Sequence, residues 1–348
     1  MNPFEPDFFS SSKPIWHDCL EERSNEILTL ASHFFPILDK LENKVRQVGG
    51  IEINSNNYCI ENPQGKFLLK KWGTSLNLND INGICELTSS LTKRNLPISK
   101  LIPAFNQSLV ISYNNQYWSL FQFDNSDFYS GTVQELKSVA QATGMLFTNL
   151  SNIDDNLVSL KKPDICSPKD YQLFKFFFDN PEVVYNEIKE SEVELLKSNK
   201  NLLQNEVELV FNSNLNLGIF QFSHFDLHPH NILVKKGEVS SFLDLDSIRL
   251  MESGYALGFA SLKLCRQSVV KTGLKPKDVA DIWLNNLAEC LPDNKEFYPF
   301  IGDLAIAEVL RRIAIILRLN IVDGNPQWNA FLPVQLNHLK EARLLFNN

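Results

Sequence analysis

The segment from His224 to Asp246 constrains the fold more than any other part of this sequence. It holds a His-x-Asp triplet, an asparagine five residues after that aspartate, and an Asp-x-Asp triplet at its end. Strand-like runs on either side of a Lys-Gly turn predict an antiparallel hairpin between these motifs. Residues equally far from the turn of a hairpin lie opposite each other, so Asn231 and Asp244 should meet at its open end, to within one residue.

The side chains of this segment suit phosphoryl transfer. That reaction requires a carboxylate near the acceptor hydroxyl and oxygen ligands that hold Mg²⁺ against the phosphates. Asp226 fits the first requirement. Asn231 and Asp244 fit the second, because Mg²⁺ prefers oxygen ligands.

The same segment resembles the catalytic loop of the aminoglycoside phosphotransferase and choline kinase superfamily, which typically reads His-x-Asp-Leu-His-Pro-x-Asn. The matching residues are His224, Asp226, Leu227, His228, Pro229 and Asn231. Many members carry glycine where His230 stands. In that family the aspartate matching Asp226 is the catalytic base, and the residues matching Asn231 and Asp244 bind magnesium. The resemblance implies an ATP- and Mg²⁺-dependent phosphotransferase with two kinase-like lobes and ATP in the cleft between them.

The loop histidines are open to a different interpretation. A metallohydrolase would use a cluster of side chains from this loop: His224, Asp226, His228 and His230. Such a cluster would leave Asn231 and Asp244 without a function. We interpret His224 as a structural brace of the loop, and we assign His228 to loop support as well. Asp246 could support the loop, contact a second metal or the substrate, or cap a helix.

Two adjacent lysines end a strand-like run in the first third of the chain. Lys70 matches, by resemblance, the family's phosphate-binding lysine. Alternation along a strand sends Lys71 to the opposite face, so only one of the two can point into the cleft, and we assign Lys70 to that position. Gly49 and Gly50 precede the first predicted strand of this part and fit a flexible turn over the phosphates.

Two further nucleotide contacts are expected from the resemblance. A predicted helix at 81–91 should carry a glutamate that pairs with the cleft lysine. Glu86 is the candidate, although it points largely away from the apolar face of that helix. The strand-like run that ends at Phe123 resembles the strand leading to the hinge between the lobes. Backbone groups of Gln122 and Phe123 are therefore expected to bind adenine.

The order of the predicted elements indicates an α+β protein with two unlike lobes. Residues 1–47 are expected to form an N-terminal helical extension that is broken near Pro36. A small, strand-rich N-lobe with an antiparallel sheet is predicted at 48–124 and should bind the nucleotide. A larger and mainly helical C-lobe is predicted at 125–348, with the catalytic loop and the substrate-binding helices.

Composition argues against several classes of partner. The formal net charge of −8 speaks against nucleic acid, which is bound by clustered Lys and Arg, and against a polybasic membrane surface. No run reaches about 18 apolar residues, so no transmembrane helix is expected. The six cysteines are scattered without a Cys-x-x-Cys pair, and the acidic N-terminus is unlike a signal peptide. We therefore expect a cytoplasmic protein with reduced thiols.

A small molecule is the expected acceptor. The sequence has no Ala-Pro-Glu motif, and the stretch after Asp244 is too short for the activation segment of a conventional protein kinase. A hydroxyl or amine of a small molecule, bound by helices of the C-lobe, is the expected target. The sequence does not determine its identity, a preference for ATP or GTP, or the oligomeric state. A nucleotide-binding protein without catalysis is the alternative, because Glu86 and the Gly49-Gly50 turn fit the family's pattern imperfectly.

Overall fold

The computed structural model describes residues 4, 15–39, 42–49, 57–74, 76–153, 180–212, 217–291, 297–321 and 323–346. These residues form an antiparallel sheet in the N-terminal part, followed by a larger part that consists mainly of helices. The prediction of an α+β protein with two unlike lobes is confirmed.

The N-terminal sheet has seven strands within the described residues, and all its pairings are antiparallel. The strands are β1 (Ile15–Asp18), β2 (Lys44–Gly49), β3 (Asn57–Asn62), β4 (Gly65–Lys71), β5 (Leu101–Ile102), β6 (Ile111–Tyr113) and β7 (Gln116–Gln122). Their order is β1-β2-β3-β4-β7-β5, with β6 also on β7. In the turn between β3 and β4, the Asn62 side chain accepts hydrogen bonds from the amides of Gln64 and Gly65.

The predicted N-terminal helix is shorter than expected. Helix α1 (Glu21–Phe34) precedes a 3₁₀ turn at Pro36–Leu38, so the predicted break near Pro36 is confirmed. The prediction of helix is wrong for residues 15–18, which lie in β1, and for residues 44–47, which lie in β2. Backbone pairing with β1 on one side and β3 on the other holds residues 44–47 extended. Such tertiary pairing overrides a weak local preference for helix.

The two faces of the sheet have different neighbours. Leu69 of β4 belongs to a buried cluster in which α1 contributes Ile27 and Leu30. Leu68 and Lys70, which alternate with it along the strand, line a cavity on the other face. Helix α2 (Leu78–Lys93) buries its apolar stripe in the main core, which continues into the helical part. Strand alternation therefore separates a structural face of the sheet from a face that is open to a ligand.

The helical part contains eight further α-helices among the residues that the structure describes. They are α3 (Val133–Ser151), α4 (Pro181–Glu187), α5 (Glu190–Ser198), α6 (Lys200–Asn212), α7 (Ser253–Thr272), α8 (Pro276–Cys290), α9 (Ile301–Ile321) and α10 (Leu332–Phe346). A reciprocal capping box of Thr132 and Glu135 begins α3. Helices α7 and α9 approach so closely that a Cβ on Gly258 would lie 2.6 Å from the amide nitrogen of Ala305. No helix in the described part of the chain is long and apolar enough to span a membrane.

The predicted hairpin is present as β10 (Ile232–Lys235) and β11 (Glu238–Phe242). Its turn residues Lys236 and Gly237 have φ values of 54° and 84°, as in the hairpin turns that match strand twist. At the open end, the amide of Leu243 donates to the carbonyl of Asn231 at 2.9 Å. Asn231 therefore lies opposite Leu243 and next to Asp244, which confirms the predicted meeting to within one residue.

Short strands hold the loop that leads into this hairpin. Strand β8 (Asp127–Phe128) pairs with β10, and β9 (Phe220–His224) pairs with β12 (Ile248–Glu252). Residues 225–231, here called the histidine loop, connect β9 to β10. Both ends of the histidine loop are thus fixed by backbone pairing, which orients the side chains between them.

Candidate active site

A cavity of about 340 Å³ lies between the N-terminal sheet and the β10–β11 hairpin. Apolar side chains from both parts form much of its lining, among them Leu68, Phe121, Leu233 and Leu243. Polar groups of the lining include Lys70, His228, Asn231, Asp244 and Asp246. Small-molecule sites have volumes of about 300–1,000 Å³ and combine apolar walls with a few placed polar groups. The cavity matches such sites in its volume, its apolar walls and its few polar groups.

Lys70 extends from β4 into the cavity. Its Nζ lies 2.9 Å from Oδ1 of Asp246 and 3.4 Å from Oδ1 of Asp244. Burial lowers the pKa of Lys70, but the two carboxylates outweigh burial and raise it, so the ammonium group is charged. The Nζ of Lys71 instead lies 6.0 Å from the ring centroid of Trp118, which belongs to the cluster under α1. Of the two candidate lysines, the structure places Lys70 in the cavity.

Glu86 is not the partner of Lys70, and this expectation is wrong. It lies on the exposed side of α2, whereas Ile84 and Thr88 of the same helix line the cavity. The reason is the rotation of α2: burial of its apolar stripe turns the position of Glu86 to solvent. Asp246, for which the sequence left three roles open, holds Lys70 instead.

Asn231 and Asp244 both line the cavity at the open end of the hairpin. The Asn231 Nδ2 donates to the backbone carbonyl of Asp226 at 2.9 Å. The side-chain oxygen Oδ1 is therefore the atom that can bind a cation. Burial raises the pKa of Asp244; Lys70 opposes this effect, and the adjacent Asp246 carboxylate adds to it. An amide oxygen and a carboxylate that is destabilised by a second carboxylate suit a hard divalent cation such as Mg²⁺.

His224 is buried at the end of β9, with an exposed fraction of 0%. Its Nε2 lies 2.8 Å from the carbonyl oxygen of Leu243, and its Nδ1 accepts the amide of Asp226 at 3.4 Å. Because a carbonyl only accepts, we assign the ring proton to Nε2. Burial lowers the pKa of His224, so the ring is neutral. Both nitrogens are used inside the protein, where they tie the histidine loop to the end of β11.

Asp226 presents a partly exposed carboxylate, with 31% of its side chain accessible. Its Oδ1 accepts a hydrogen bond from Nη2 of Arg312 at 3.1 Å, and its Oδ2 lies 3.7 Å from Nε2 of His228. Burial raises the pKa of Asp226, but the opposing effects, of which Arg312 is the largest, lower it to about 2. The carboxylate is therefore ionised at neutral pH and accessible, as a group that accepts a proton from a substrate must be.

The alternative of a histidine metal cluster is wrong for the arrangement seen. Among the described residues, no three His, Cys, Asp or Glu side chains are grouped so that they could hold a metal ion. His224 turns into the interior, and the ring of His230 packs edge-on against Phe128 with centroids 5.2 Å apart. His228 accepts the amide of His230 through Nδ1 at 3.3 Å, a contact within the loop. Burial lowers the pKa of His228 to about 4, so it is neutral at pH 7.

The two hinge residues line the cavity, but their amides are engaged. The amide of Gln122 donates to the carbonyl of Lys100 at 2.8 Å, and that of Phe123 donates to the carbonyl of Lys66 at 3.0 Å. Adenine at this edge would meet their carbonyl oxygens and the backbone of Asp124, which also lines the cavity. The adenine contact expected of the backbone groups at these two positions is thereby limited to their carbonyl oxygens.

The glycine turn falls largely outside the described residues. Gly49 is the last residue of β2 and pairs with Ile15, whereas Gly50 and residues 51–56 are not described. Val48 and Asn57, on either side of this stretch, both line the cavity. A phosphate-covering role for Gly49 and Gly50 stays a prediction.

Sequence reasoning missed Arg312 and its partner Glu308. Both lie on α9, and Arg312 joins the buried carboxylate of Glu308 to the carboxylate of Asp226. The sequence contained a signal, because the charged residues at 308, 311 and 312 interrupt the otherwise apolar stretch 304–317 of this helix. Charges in such a helix are buried only when they are paired, which marks them as part of a network.

Asp246→Asn tests whether Asp246 orients Lys70. Loss of one charge-assisted hydrogen bond to the lysine should lower kcat/KM for ATP about tenfold. Glu86→Gln is the matched control and should change the same quantity by no more than about twofold, because Glu86 is exposed and does not contact Lys70. Steady-state kinetics with varied ATP decide the matter, and a larger loss in the Glu86 variant would contradict the assignment.

Comparison with known proteins shows which solved structures have a similar fold. No protein-family model matches the sequence, and no curated protein matches it significantly. The spectinomycin phosphotransferase complex with ADP and spectinomycin matches in structure with a TM-score of 0.63 at 13% identity, over 93% of this chain and 97% of that one. The amicoumacin kinase complex with AMP-PNP and Ca²⁺ matches with a TM-score of 0.62 at 10% identity, over 94% and 98%. A choline kinase from Cryptosporidium parvum Iowa II matches with a TM-score of 0.55 at 10% identity, over 92% and 95%.

The likeness extends over nearly the whole of each chain. This chain therefore has the kinase-like fold of the aminoglycoside phosphotransferases and choline kinases. At identities this low, a shared fold does not carry over a substrate.

Proposed function

We propose that this chain is a small-molecule kinase that transfers the γ-phosphoryl group of ATP to a hydroxyl group of a small acceptor. Asp226 is the catalytic base in this proposal, Asn231 and Asp244 hold Mg²⁺, and Lys70 contacts the phosphates. An amine acceptor is compatible with the same residues.

One observation carries the proposal: at one cavity of a kinase-like fold, a lysine from the N-terminal sheet meets three oxygen-bearing side chains from a distant segment of the chain. A charged lysine, an amide, and two carboxylates of the Asp-x-Asp triplet line the cavity, and the ionised Asp226 belongs to the same loop as the amide. Phosphoryl transfer requires positioning and neutralisation of charge more than covalent chemistry from the protein. This set supplies both.

The cavity suits a nucleotide in one orientation. Its apolar walls, Leu68 and Phe121 from the sheet and Leu233 from the hairpin, can enclose a flat base. The hinge carbonyls at Gln122 and Phe123 can accept hydrogen bonds from an amino group of that base, and both adenine and guanine carry one. Lys70 and the hairpin end then meet the phosphates. Solved structures of similar fold contain ADP or AMP-PNP.

Asp226 accepts the hydroxyl proton as the acceptor oxygen bonds to the γ-phosphorus. The bond from that phosphorus to the ADP oxygen breaks, so the products are the phosphorylated acceptor and ADP. Mg²⁺ held by Asn231 and Asp244 would neutralise the negative charges of the phosphates. Lys70 stabilises the charge on the leaving nucleotide.

A broad acceptor screen tests the proposed function. Purified protein with ATP and Mg²⁺ is incubated with amino sugars, amino alcohols, hydroxy amino acids and sugars, and ADP release is measured by a coupled assay. At least one class should give acceptor-dependent ADP release and a product that carries one additional phosphoryl group by mass spectrometry. Tight Mg-ATP binding without turnover on any acceptor would instead support the catalytically inactive alternative.

A further inference from the structure

We infer that Arg312 is a positioning residue of the active site, which fixes the Asp226 carboxylate so that Oδ2 receives the acceptor hydroxyl. The inference rests on the proposed function, because it assigns a role in the same reaction. It concerns a residue of α9 that lies 86 positions from Asp226 in the sequence.

The guanidinium group of Arg312 holds two consecutive residues of the histidine loop. Its Nη2 donates to Oδ1 of Asp226 at 3.1 Å and to the backbone carbonyl of Phe225 at 3.2 Å. One nitrogen thus contacts both the reacting side chain and the backbone that carries it. Rotation of the carboxylate or a shift of the loop would break at least one of these bonds.

Arg312 is itself anchored on the side away from the loop. Its Nε donates to Oε1 of Glu308 at 2.8 Å, one turn earlier on α9. Glu308 is buried, with 1% of its side chain exposed, and Arg311 also binds it. The Arg312 Cζ lies 3.7 Å from the ring centroid of Phe259 on α7. Helices α7 and α9 therefore hold the guanidinium plane rigidly, and that plane holds the loop.

This arrangement distinguishes the two oxygens of Asp226. Oδ1 is occupied by Arg312, whereas Oδ2 lies 3.7 Å from Nε2 of His228, which is too far for a hydrogen bond. An acceptor hydroxyl must come within about 3.2 Å of its base to transfer a proton. Oδ2 is the oxygen that can do so without breaking the ion pair, so Arg312 selects which lone pairs face the acceptor.

A purely structural ion pair would behave differently. If Arg312 only stabilised the fold, its loss would lower the unfolding temperature and leave kcat of the folded fraction unchanged. Glu308 keeps Arg311 as a partner after the loss of Arg312, so a buried carboxylate is not left unpaired. The folded state should therefore survive the substitution.

Arg312→Gln should lower kcat about 10- to 100-fold, because misplacement of a reacting group by about 1 Å costs up to 100-fold. KM for ATP should stay within about twofold, because Arg312 is not in the lining of the nucleotide cavity. Arg312→Lys should recover part of kcat, because its ammonium group can bind Asp226 but has one nitrogen in place of the Nε that binds Glu308 and the Nη2 that binds the loop. The matched control is Arg343→Gln on α10.

The control removes a similar ion pair from the same helical part. Arg343 is 23% exposed against 21% for Arg312, and it pairs with Glu206 and Asp303, which lie outside the histidine loop. Its kcat per folded molecule should equal that of the unchanged protein. Circular dichroism and ATP binding report the folded fraction of each variant. An Arg312→Lys variant with unchanged kcat, or an Arg343 variant with the same loss as Arg312→Gln, would overturn the inference.

A double-mutant cycle with Asp226→Asn separates this inference from the proposed function. If Arg312 acts through Asp226, the Arg312→Gln substitution should cost little further activity in the Asp226→Asn background. Additive losses mean that Arg312 acts elsewhere, and they reject the positioning role while the kinase assignment stands. Full activity of Asp226→Asn alone would reject the proposed chemistry itself.

Discussion

Asp226→Asn should lower kcat of phosphoryl transfer about 10²- to 10⁴-fold, the contribution that general-base catalysis typically makes. The amide has nearly the same shape as the carboxylate, but it cannot accept the hydroxyl proton. Binding of Mg-ATP should be retained, because Asp226 is not in the lining of the nucleotide cavity. Single-turnover kinetics on the best acceptor of the screen, together with titration calorimetry of Mg-ATP, measure both quantities.

Asp278→Asn serves as the control for this substitution. Asp278 lies exposed in the first turn of α8, so the same change of one oxygen to nitrogen removes a charge without touching the site. Its kcat should match that of the unchanged protein. Equal turnover by the Asp226 and Asp278 variants would exclude Asp226 as the base.

Lys70→Met is the second substitution with a large expected effect. Methionine keeps much of the aliphatic stem but removes the charge, so the phosphates lose a cation in a partly enclosed site. Removal of one such preorganised electrostatic contact typically costs about 10²- to 10³-fold in kcat. KM for ATP should rise as well. Without the lysine, Asp244 and Asp246 repel each other, so the variant should unfold at a lower temperature, and added Mg²⁺ should restore part of the difference.

The chain offers its own control for Lys70 in the next residue. Lys71→Met makes the same chemical change on the opposite face of β4, where the side chain lies near Trp118. Its kinetics should stay within about twofold of the unchanged protein. A comparable loss in both variants would mean that general surface charge, and not placement in the cavity, explains the effect.

Elements that depend on neighbouring residues were predictable. The β10–β11 hairpin follows from two apolar runs around a Lys-Gly turn, and its register follows from counting away from that turn. Hence the meeting of Asn231 with the Asp244 end of the hairpin could be read from the sequence.

Predictions failed where the local sequence allows more than one structure or role and a tertiary contact determines which one occurs. The stretch at 44–47 became a strand because two neighbouring strands were available to pair with it. Glu86 lost its expected role because the rotation of α2 is set by core packing, which puts Ile84 and Thr88 towards the cavity. Asp246 gained the role of lysine partner for the same reason: the cavity brings it to 2.9 Å from Lys70.

The sequence by itself determined the reaction class that we propose and most of the side chains proposed to perform it, since the His-x-Asp loop, Asn231 and Asp244 lie within one short segment whose geometry is local. Only the tertiary structure decided that Asp246 holds Lys70 and that Arg312 holds Asp226. Those pairs lie 176 and 86 residues apart in the sequence. Contacts over such distances depend on how whole helices and sheets pack against each other, and the spacing of residues within one segment does not encode which distant segment they meet.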